Sequence, residues 1–141
     1  MGSDRHDLID QLIQHEGLRL FPYMDSVGKI TIGVGRNLSD VGISKREAMD
    51  LLDHDLDAAV ADLAAFPWFL TLDAVRQRVM VDMRFNLGPS RFREFKRMLR
   101  AMAEQDYPKA ASSMRKSLWF TQVKGRGVRL VRMMLTGEDP T

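Results

Sequence analysis

Three polar residues stand close together near the start of the chain: Glu16, Asp25 and Thr31. Two carboxylates in unequal environments can hydrolyse a glycosidic bond, because one donates a proton to the leaving oxygen while the other stays ionised. A threonine hydroxyl beside them can hold the attacking water. The same residues also have an ordinary structural interpretation, since Asp is common in turns and Thr in strands. Spacing alone therefore suggests this chemistry without deciding it.

The first helix is predicted over residues 4–16 from apolar residues at helical spacing. Its apolar face consists of Leu8, Ile9, Leu12 and Ile13. Glu16 continues that face and is followed by Gly17, a residue that favours the end of a helix. Burial and a helix C-terminus both favour the neutral form of a carboxylate. Glu16 is therefore expected to be partly buried and to serve as the proton donor.

Residues 18–36 have the alternation and the turn residues of a β-hairpin. Its strands are predicted at 21–24 and 29–35, with Asp25 exposed and ionised in the turn between them. A period of two places Thr31 on the same strand face as two glycines, which leaves that face open to an approaching group. The opposite face carries Ile30, Ile32 and Val34.

The remainder of the chain has a helical pattern. Ser44 and Glu47 form a capping box that begins a helix of about twenty residues, roughly 30 Å long, ending before Pro67. A helix of this length after a small hairpin can connect two lobes. Further helices are predicted near 71–87, 91–104, 108–116 and 125–136, with a short one around 118–122. The predicted class is α+β and mostly helical.

The charge of the chain is distributed unevenly. Residues 1–75 carry 6 Lys and Arg against 13 Asp and Glu, a net charge of −7, whereas residues 76–141 carry 15 against 6, a net charge of +9. The second half should attract an anionic polymer, and nucleic acid, anionic cell wall and acidic lipid all qualify. The alternative is a solvated, arginine-rich helical surface with no such role.

No metal or cofactor is expected. His6, His15 and His54 lack the spacing of a metal-binding motif, and the sequence contains no cysteine and no glycine-rich phosphate loop. With 141 residues, 45% of them apolar, the chain can form one domain with a substantial core, in which the ten methionines are expected to serve as filler. No apolar run is long enough to span a membrane, and the start of the sequence lacks a signal-peptide pattern.

The spacing from Glu16 to Asp25 and from Asp25 to Thr31 resembles the catalytic signature of the T4-type phage lysozymes, glycoside hydrolase family 24. The resemblance extends over about residues 7–137. Residues 55–60 resemble the start of the family's inter-lobe helix, 72–76 the helix that opens its second lobe, and 85–88 the segment at the back of its cleft. The family's C-terminal helices are matched in order by 117–120, 126–132 and 136–137.

This resemblance implies a two-lobed fold, with a small β-hairpin lobe and a helical lobe joined by a long helix. The expected single lysozyme domain spans 1–141. Residues of about 14–65 would form the hairpin lobe and the inter-lobe helix, and about 1–13 with 66–141 would form the helical lobe.

The resemblance also implies catalytic roles. Glu16 would be the general acid, Asp25 the second carboxylate, and Thr31 the residue that positions the attacking water. The family's reaction is generally taken as a single displacement by water, with inversion at the sugar carbon.

Three further residues are expected to bind substrate or support the site. Arg126 stands where the family has an arginine that pairs with the catalytic glutamate, so a pair with Glu16 would favour the charged carboxylate, against the effects of burial and the helix end. Tyr23 and Phe85 would shape the site or pack beside it.

Two departures from the family's pattern stand out. Arg36 replaces a histidine that the T4 enzyme pairs with an acidic residue, and Asp55 stands at the matching place. An Arg36–Asp55 pair would keep the sign of that contact and remove its titration near neutral pH. The stretch between Arg36 and Ser44 has seven residues, some twenty fewer than in the T4 enzyme, so the small lobe should be trimmed.

The function implied by the resemblance is a lysozyme that cleaves the β-1,4 bond between N-acetylmuramic acid and N-acetylglucosamine in peptidoglycan strands, acting as a monomer. Without a signal peptide, it is expected to be made in the cytoplasm of a bacterial host and to reach the wall through a holin, a virion or a larger parent protein. An inactive wall-binding module and a basic, helical nucleic-acid-binding domain are the alternatives. The intact trio argues against the first, and the acidic first half argues against the second.

Overall fold

The computed structural model describes residues 2–140, and the side chains of residues 4–140. This part of the chain contains seven α-helices, a short 3₁₀ helix and one antiparallel sheet of three short strands, so the predicted α+β, mostly helical class is confirmed. The elements in chain order are α1 (Gly2–Glu16), β1 (Arg19–Met24), β2 (Ile30–Gly33), β3 (Arg36–Asn37), α2 (Lys45–Leu63), the 3₁₀ helix (Phe69–Thr71), α3 (Ala74–Arg93), α4 (Lys96–Ala103), α5 (Tyr107–Arg115), α6 (Leu118–Val123) and α7 (Gly125–Thr136).

The chain divides into two compact units, Met1–Asp50 and Leu51–Thr141. The first unit contains α1, the sheet and the first turns of α2, and the second contains the remainder of α2 with α3 to α7. The boundary therefore falls inside α2. The division into lobes at about residues 14 and 65, expected from the sequence, stays a prediction. Assignment of residues 1–13 to the helical lobe stays a prediction, and the two terminal residues of the expected domain lie outside the described part. None of the described helices is long and apolar enough to cross a membrane.

The sheet of the first unit contains one strand more than the predicted hairpin. β2 pairs with β1 on one side and with β3 on the other, so that Thr31 lies opposite both Tyr23 and Asn37. β2 ends at Gly33 because Gly33 and Gly35 adopt positive φ angles of 70° and 67°, which turn the chain back to form β3. The predicted second strand at 29–35 is thus too long by one residue at its start and by two at its end.

The capping box predicted at the start of α2 is confirmed. The backbone N–H of Glu47 donates to Ser44 Oγ at 3.1 Å, and the backbone N–H of Ser44 donates to Glu47 Oε1 at 2.9 Å. Each side chain satisfies a backbone donor that the first turn of a helix leaves without a partner. The helix ends at Leu63, before Pro67, as predicted.

The predicted interruption near Gly88 is also present. Gly88 is the one residue of α3 with non-helical angles, φ 81° and ψ 170°, and Pro89 begins the helical segment that follows. The core of the second unit includes buried methionines from several helices, as the sequence predicted: Met80, Met83, Met98, Met102, Met114, Met133 and Met134. Trp119 is buried beside them and donates from its indole nitrogen to Asn86 Oδ1 at 3.0 Å.

A carboxylate near the end of α2 joins two arginines of α3. Asp62 accepts a hydrogen bond from Arg84 at 2.6 Å and a two-pronged pair from Arg93 at 2.6 and 2.9 Å. The hydrogen bonds from Arg93, and then the one from Arg84, lower the pKa of Asp62 from 3.8 to about 2. This three-residue cluster connects α2 and α3 inside the second unit.

We predict that Asp62→Asn destabilises the protein by about 2 kcal/mol at neutral pH, since it removes the charge that both guanidiniums face. A carboxylate with a lowered pKa contributes stability above its ordinary value of 3.8 and loses it as the pH falls through about 2. The difference between wild type and variant, measured by urea unfolding, should therefore shrink between pH 4 and pH 2. Asp57→Asn, at an exposed position of the same helix, is the matched control. A pH-independent difference would contradict the role assigned to the charge.

Candidate active site

Asp25 lies in the β1–β2 turn with one oxygen held by the backbone. Its Oδ1 accepts from the N–H of Val27 at 3.0 Å and from the N–H of Lys29 at 2.8 Å. The carboxylate is half-buried, whereas the sequence predicted an exposed one. Within the described residues Oδ2 has no hydrogen-bond partner, so one oxygen anchors the group while the other is available to a water or a substrate.

Thr31 is buried, with 4% of its surface exposed, and its hydroxyl donates to the carbonyl of Lys29 at 3.1 Å. The prediction that Thr31 lies on an open face is wrong. Its two cross-strand neighbours, Tyr23 on β1 and Asn37 on the unforeseen strand β3, have their side chains on the same face of the sheet as Thr31. Since the hydroxyl proton is directed to Lys29, the lone pairs of Oγ1 can accept a hydrogen bond from a water.

Lys29 connects Asp25 with Thr31 through its backbone. Its N–H donates to the Asp25 carboxylate, and its carbonyl accepts from both the Asp25 N–H at 2.8 Å and the Thr31 hydroxyl. The structure therefore brings two of the three predicted catalytic residues together around one peptide segment. The sequence contained no signal for this role of Lys29, because backbone groups carry it.

Glu16 is the last residue of α1, and Gly17 follows it with a φ of 80°, as predicted for a helix end. The side chain is exposed, so the predicted partial burial is wrong. The apolar helix face from which burial was inferred is itself substantially exposed, with Leu8 at 51%, Ile9 at 45% and Leu12 at 43%. Helical periodicity identifies a face correctly but does not show what covers it.

The carboxylate of Glu16 lies against Gly35 in the β2–β3 turn. A Cβ atom placed on Gly35 would lie 2.7 Å from Glu16 Oε2 and 3.1 Å from its Cδ. The glycine therefore leaves the space that the carboxylate occupies. This contact places Glu16 at the same sheet that carries Asp25 and Thr31.

We predict that Gly35→Ala lowers catalytic activity by roughly tenfold, because displacement of a reacting group by even an ångström is costly. The added methyl would overlap the Glu16 carboxylate, and the positive φ adds about 1 kcal/mol of backbone strain. Gly33→Ala is the matched control, since Gly33 also has a positive φ but an added Cβ meets no atom within 4 Å. Hydrolysis rates of the two variants, compared at equal folded fraction, test the prediction. Equal losses would show that backbone strain alone is responsible.

Arg36 pairs with Glu47. Its two terminal nitrogens lie 3.0 and 2.7 Å from the two carboxylate oxygens of Glu47, and one of them also donates to the carbonyl of Gly42. Hydrogen bonds from Arg36 first, and then from the backbone of Ser44, lower the pKa of Glu47 to about 2. Glu47 is a partner of Arg36 that the sequence did not identify, and the predicted pair of Arg36 with Asp55 stays a prediction. The capping box holds Glu47 at the start of α2, within the same unit as Arg36.

Arg126 binds the carboxylate of Asp82, with its Nε and a terminal nitrogen at 2.7 and 2.6 Å from Oδ1. Asp82 is a residue of α3, in the same unit as Arg126, and the sequence did not identify it as a partner. The two residues are 44 positions apart, so no local pattern signalled their pairing. The pair of Arg126 with Glu16 that the resemblance implies stays a prediction.

The remaining predicted site residues lie in different units. Tyr23 is half-buried in β1, opposite Thr31, and the guanidinium of Arg19 lies 4.4 Å from the centre of its ring. Phe85 is 41% exposed in the second unit and lines an open, mostly apolar groove of about 640 Å³. Leu52, Leu56, Val60 and Val81 line the same groove.

Comparison with known proteins identifies the family. A sequence model described as phage lysozyme matches residues 13–132, which is most of the chain, and the chain belongs to this family. Membership supports a peptidoglycan hydrolase as the general class of activity.

Three curated relatives are similar to the chain over more than nine-tenths of its length. One is the pre-baseplate central spike protein Gp5 of Enterobacteria phage T4, 30% identical over 92% of the chain. The chain spans only 28% of the length of Gp5. The others are the probable T4-type lysozymes 1 and 2 of Dictyostelium discoideum, each 26% identical and covered over 93% and 94% of their own lengths.

Proposed function

We propose that this protein hydrolyses the β-1,4 bond between N-acetylmuramic acid and N-acetylglucosamine in peptidoglycan, by single displacement with inversion. The observation that carries the proposal is the backbone of Lys29, which orients Asp25 and Thr31 together. The Glu16 carboxylate, against Gly35 in the next turn of the same sheet, supplies the second acidic group. The family match over residues 13–132 supports the substrate class.

In the proposed reaction, Glu16 in its neutral form gives its proton to the bridging oxygen as the bond from that oxygen to the muramic acid carbon breaks. A water attacks the same carbon from the opposite face, and Asp25 takes up the proton that this water loses. Asp25 Oδ1 is held by two backbone amides, which leaves Oδ2 as the proton acceptor. Thr31 Oγ1 accepts a hydrogen bond from the water and thereby orients its attack.

The experiment that tests the proposal is digestion of purified peptidoglycan with mass spectrometry of the fragments. New reducing ends on N-acetylmuramic acid are expected, and proton NMR during the first minutes should show the α-anomer of this sugar before mutarotation. Reducing ends on N-acetylglucosamine, or anhydro sugar ends, would contradict the proposed bond or reaction. If the β-anomer appears first, the proposed inversion is wrong, but the proposed bond still stands.

We further propose that the chain acts as a monomer on wall strands reached through a holin, a virion or a larger parent protein. Similarity to a quarter of the spike protein Gp5 supports a virion-borne parent, whereas near-complete coverage of the two lysozymes supports a free-standing enzyme. Sedimentation of the purified chain tests the monomer.

A second candidate function is binding of an anionic polymer. A groove of about 510 Å³ in the second unit is lined by the cations Arg91, Lys96 and Arg97, together with Glu94 and the ring of Trp119. Three cations around one concavity attract a polyanion electrostatically. A duplex DNA mobility shift that weakens steeply with salt, in the absence of any wall hydrolysis, would favour a nucleic-acid-binding domain over the enzyme.

A further inference from the structure

Residues 37–42, at the end of β3, form a turn that is closed by hydrogen bonds among its own residues. We refer to these residues as the clasp turn. Its backbone closes through hydrogen bonds from Val41 to Asn37 and from Gly42 to Leu38, both of 3.1 Å. The side chain of Asn37 accepts from the N–H of Asp40 and donates to Asp40 Oδ2, each at 3.0 Å. The carboxylate of Asp40 is thereby held in a defined orientation.

The clasp turn binds Lys29, which precedes β2, and Ile30, the first residue of β2, at three points. Asp40 Oδ1 accepts from the ammonium of Lys29 at 3.1 Å. Ser39 Oγ accepts from the N–H of Ile30 at 2.9 Å, and the N–H of Leu38 donates to the carbonyl of Ile30 at 2.8 Å. Both backbone polar groups of Ile30 are therefore satisfied by this turn.

The same short segment holds the proposed catalytic groups. The backbone of Lys29 binds the Asp25 carboxylate and the Thr31 hydroxyl, and Ile30 is the residue between Lys29 and Thr31. A displacement of Lys29 or Ile30 would therefore move two groups at once. These are Asp25, which accepts the proton of the water, and Thr31, which orients the water. Proton transfer and attack both depend on sub-ångström placement of these groups.

We propose that Ser39 and Asp40 are positioning residues, which set the geometry of Asp25 and Thr31 through Ile30 and Lys29. The proposal rests on the proposed hydrolysis of peptidoglycan. The short segment of seven residues between Arg36 and Ser44 thus has a structural role in this chain. It holds the start of β2 in place through side chains of the clasp turn.

The test compares kcat and KM of peptidoglycan hydrolysis for Ser39→Ala, Asp40→Asn and Lys29→Met. Ser39→Ala should lower kcat roughly tenfold, because it leaves the Ile30 N–H without its acceptor. Asp40→Asn and Lys29→Met should each lower kcat by about threefold, as expected for an exposed ion pair, with KM within twofold of wild type. The double variant that combines Asp40→Asn with Lys29→Met should lose no more kcat than either single variant, because both substitutions remove the same ion pair. Ser39→Thr and Lys29→Arg, which retain the acceptor and the charge, should restore kcat.

Hydrogen exchange provides a readout that does not depend on activity. The amide of Ile30 should exchange faster in Ser39→Ala than in wild type, and Asp57→Asn serves as the surface-charge control for both measurements. Unchanged kcat, or a change confined to KM, in an active protein would overturn the positioning role and leave the proposed function intact. If the wild-type protein cleaves no peptidoglycan, the proposed function and this inference fail together, whatever the exchange rates show.

Discussion

Glu16→Gln is expected to lower the rate of peptidoglycan hydrolysis by about 10³-fold, within the range of roughly 10²–10⁴ for loss of a positioned proton donor. The amide has nearly the size of the carboxyl group, so it fits the same space against Gly35, but it has no acidic proton to give to the leaving oxygen. The side chain is exposed and accepts no hydrogen bond within the described residues, so the substitution should leave the thermal midpoint unchanged. Release of soluble fragments from purified walls measures the effect.

A substrate with a good leaving group shows whether Glu16→Gln lowers the rate through loss of proton donation or through another effect. An aryl glycoside of the same sugar needs little protonation when its bond breaks, so Glu16→Gln should slow its hydrolysis far less than that of the natural strand. His15→Gln, at the preceding exposed position of α1, is the control for nonspecific effects on the helix end. Activity within a few-fold of wild type on natural walls would rule out Glu16 as the general acid.

Asp25→Asn is expected to lower the rate at least tenfold, because the amide cannot take up the proton of the attacking water. The amide oxygen of Asn can still accept from the N–H groups of Val27 and Lys29, so the turn should remain folded. Asp25→Ala removes those hydrogen bonds as well and should also lower stability. The two variants therefore separate the chemical role of the carboxylate from its structural one.

The comparison for Asp25 uses kcat and the unfolding free energy measured on the same preparations. Ser26→Ala, at an exposed position in the same turn, is the matched control and should retain wild-type rates. If Asp25→Asn retains more than a third of the wild-type kcat, another group must activate the water. Loss of kcat in proportion to loss of folded protein would show that Asp25 is only a turn residue.

The features predicted correctly from the sequence are those that neighbouring residues decide. The capping box at Ser44 and Glu47, the helix end at Gly17 and the interruption at Gly88 all depend on groups within a few positions of one another. A side-chain cap or a positive φ angle is a local property, so it can be inferred before the fold is known. The mostly helical α+β class follows from the same local patterns.

The sequence did not identify the carboxylates that two arginines contact. The structure pairs Arg36 with Glu47 and Arg126 with Asp82, neither of which the sequence singled out as a partner. A guanidinium binds whichever carboxylate the backbone brings within reach, and several acidic residues lie at comparable sequence distances. Only packing selects among them.

By itself the sequence determined most of the helices and turns, and it singled out the two carboxylates and the threonine of the candidate site. The tertiary structure decided how those residues are held: that Thr31 is buried in a central strand, that Lys29 joins it to Asp25, and that Glu16 lies exposed against Gly35. The physical reason is that spacing sets which side chains share a face, whereas burial and hydrogen-bond partners depend on strands and turns that meet only in the folded chain.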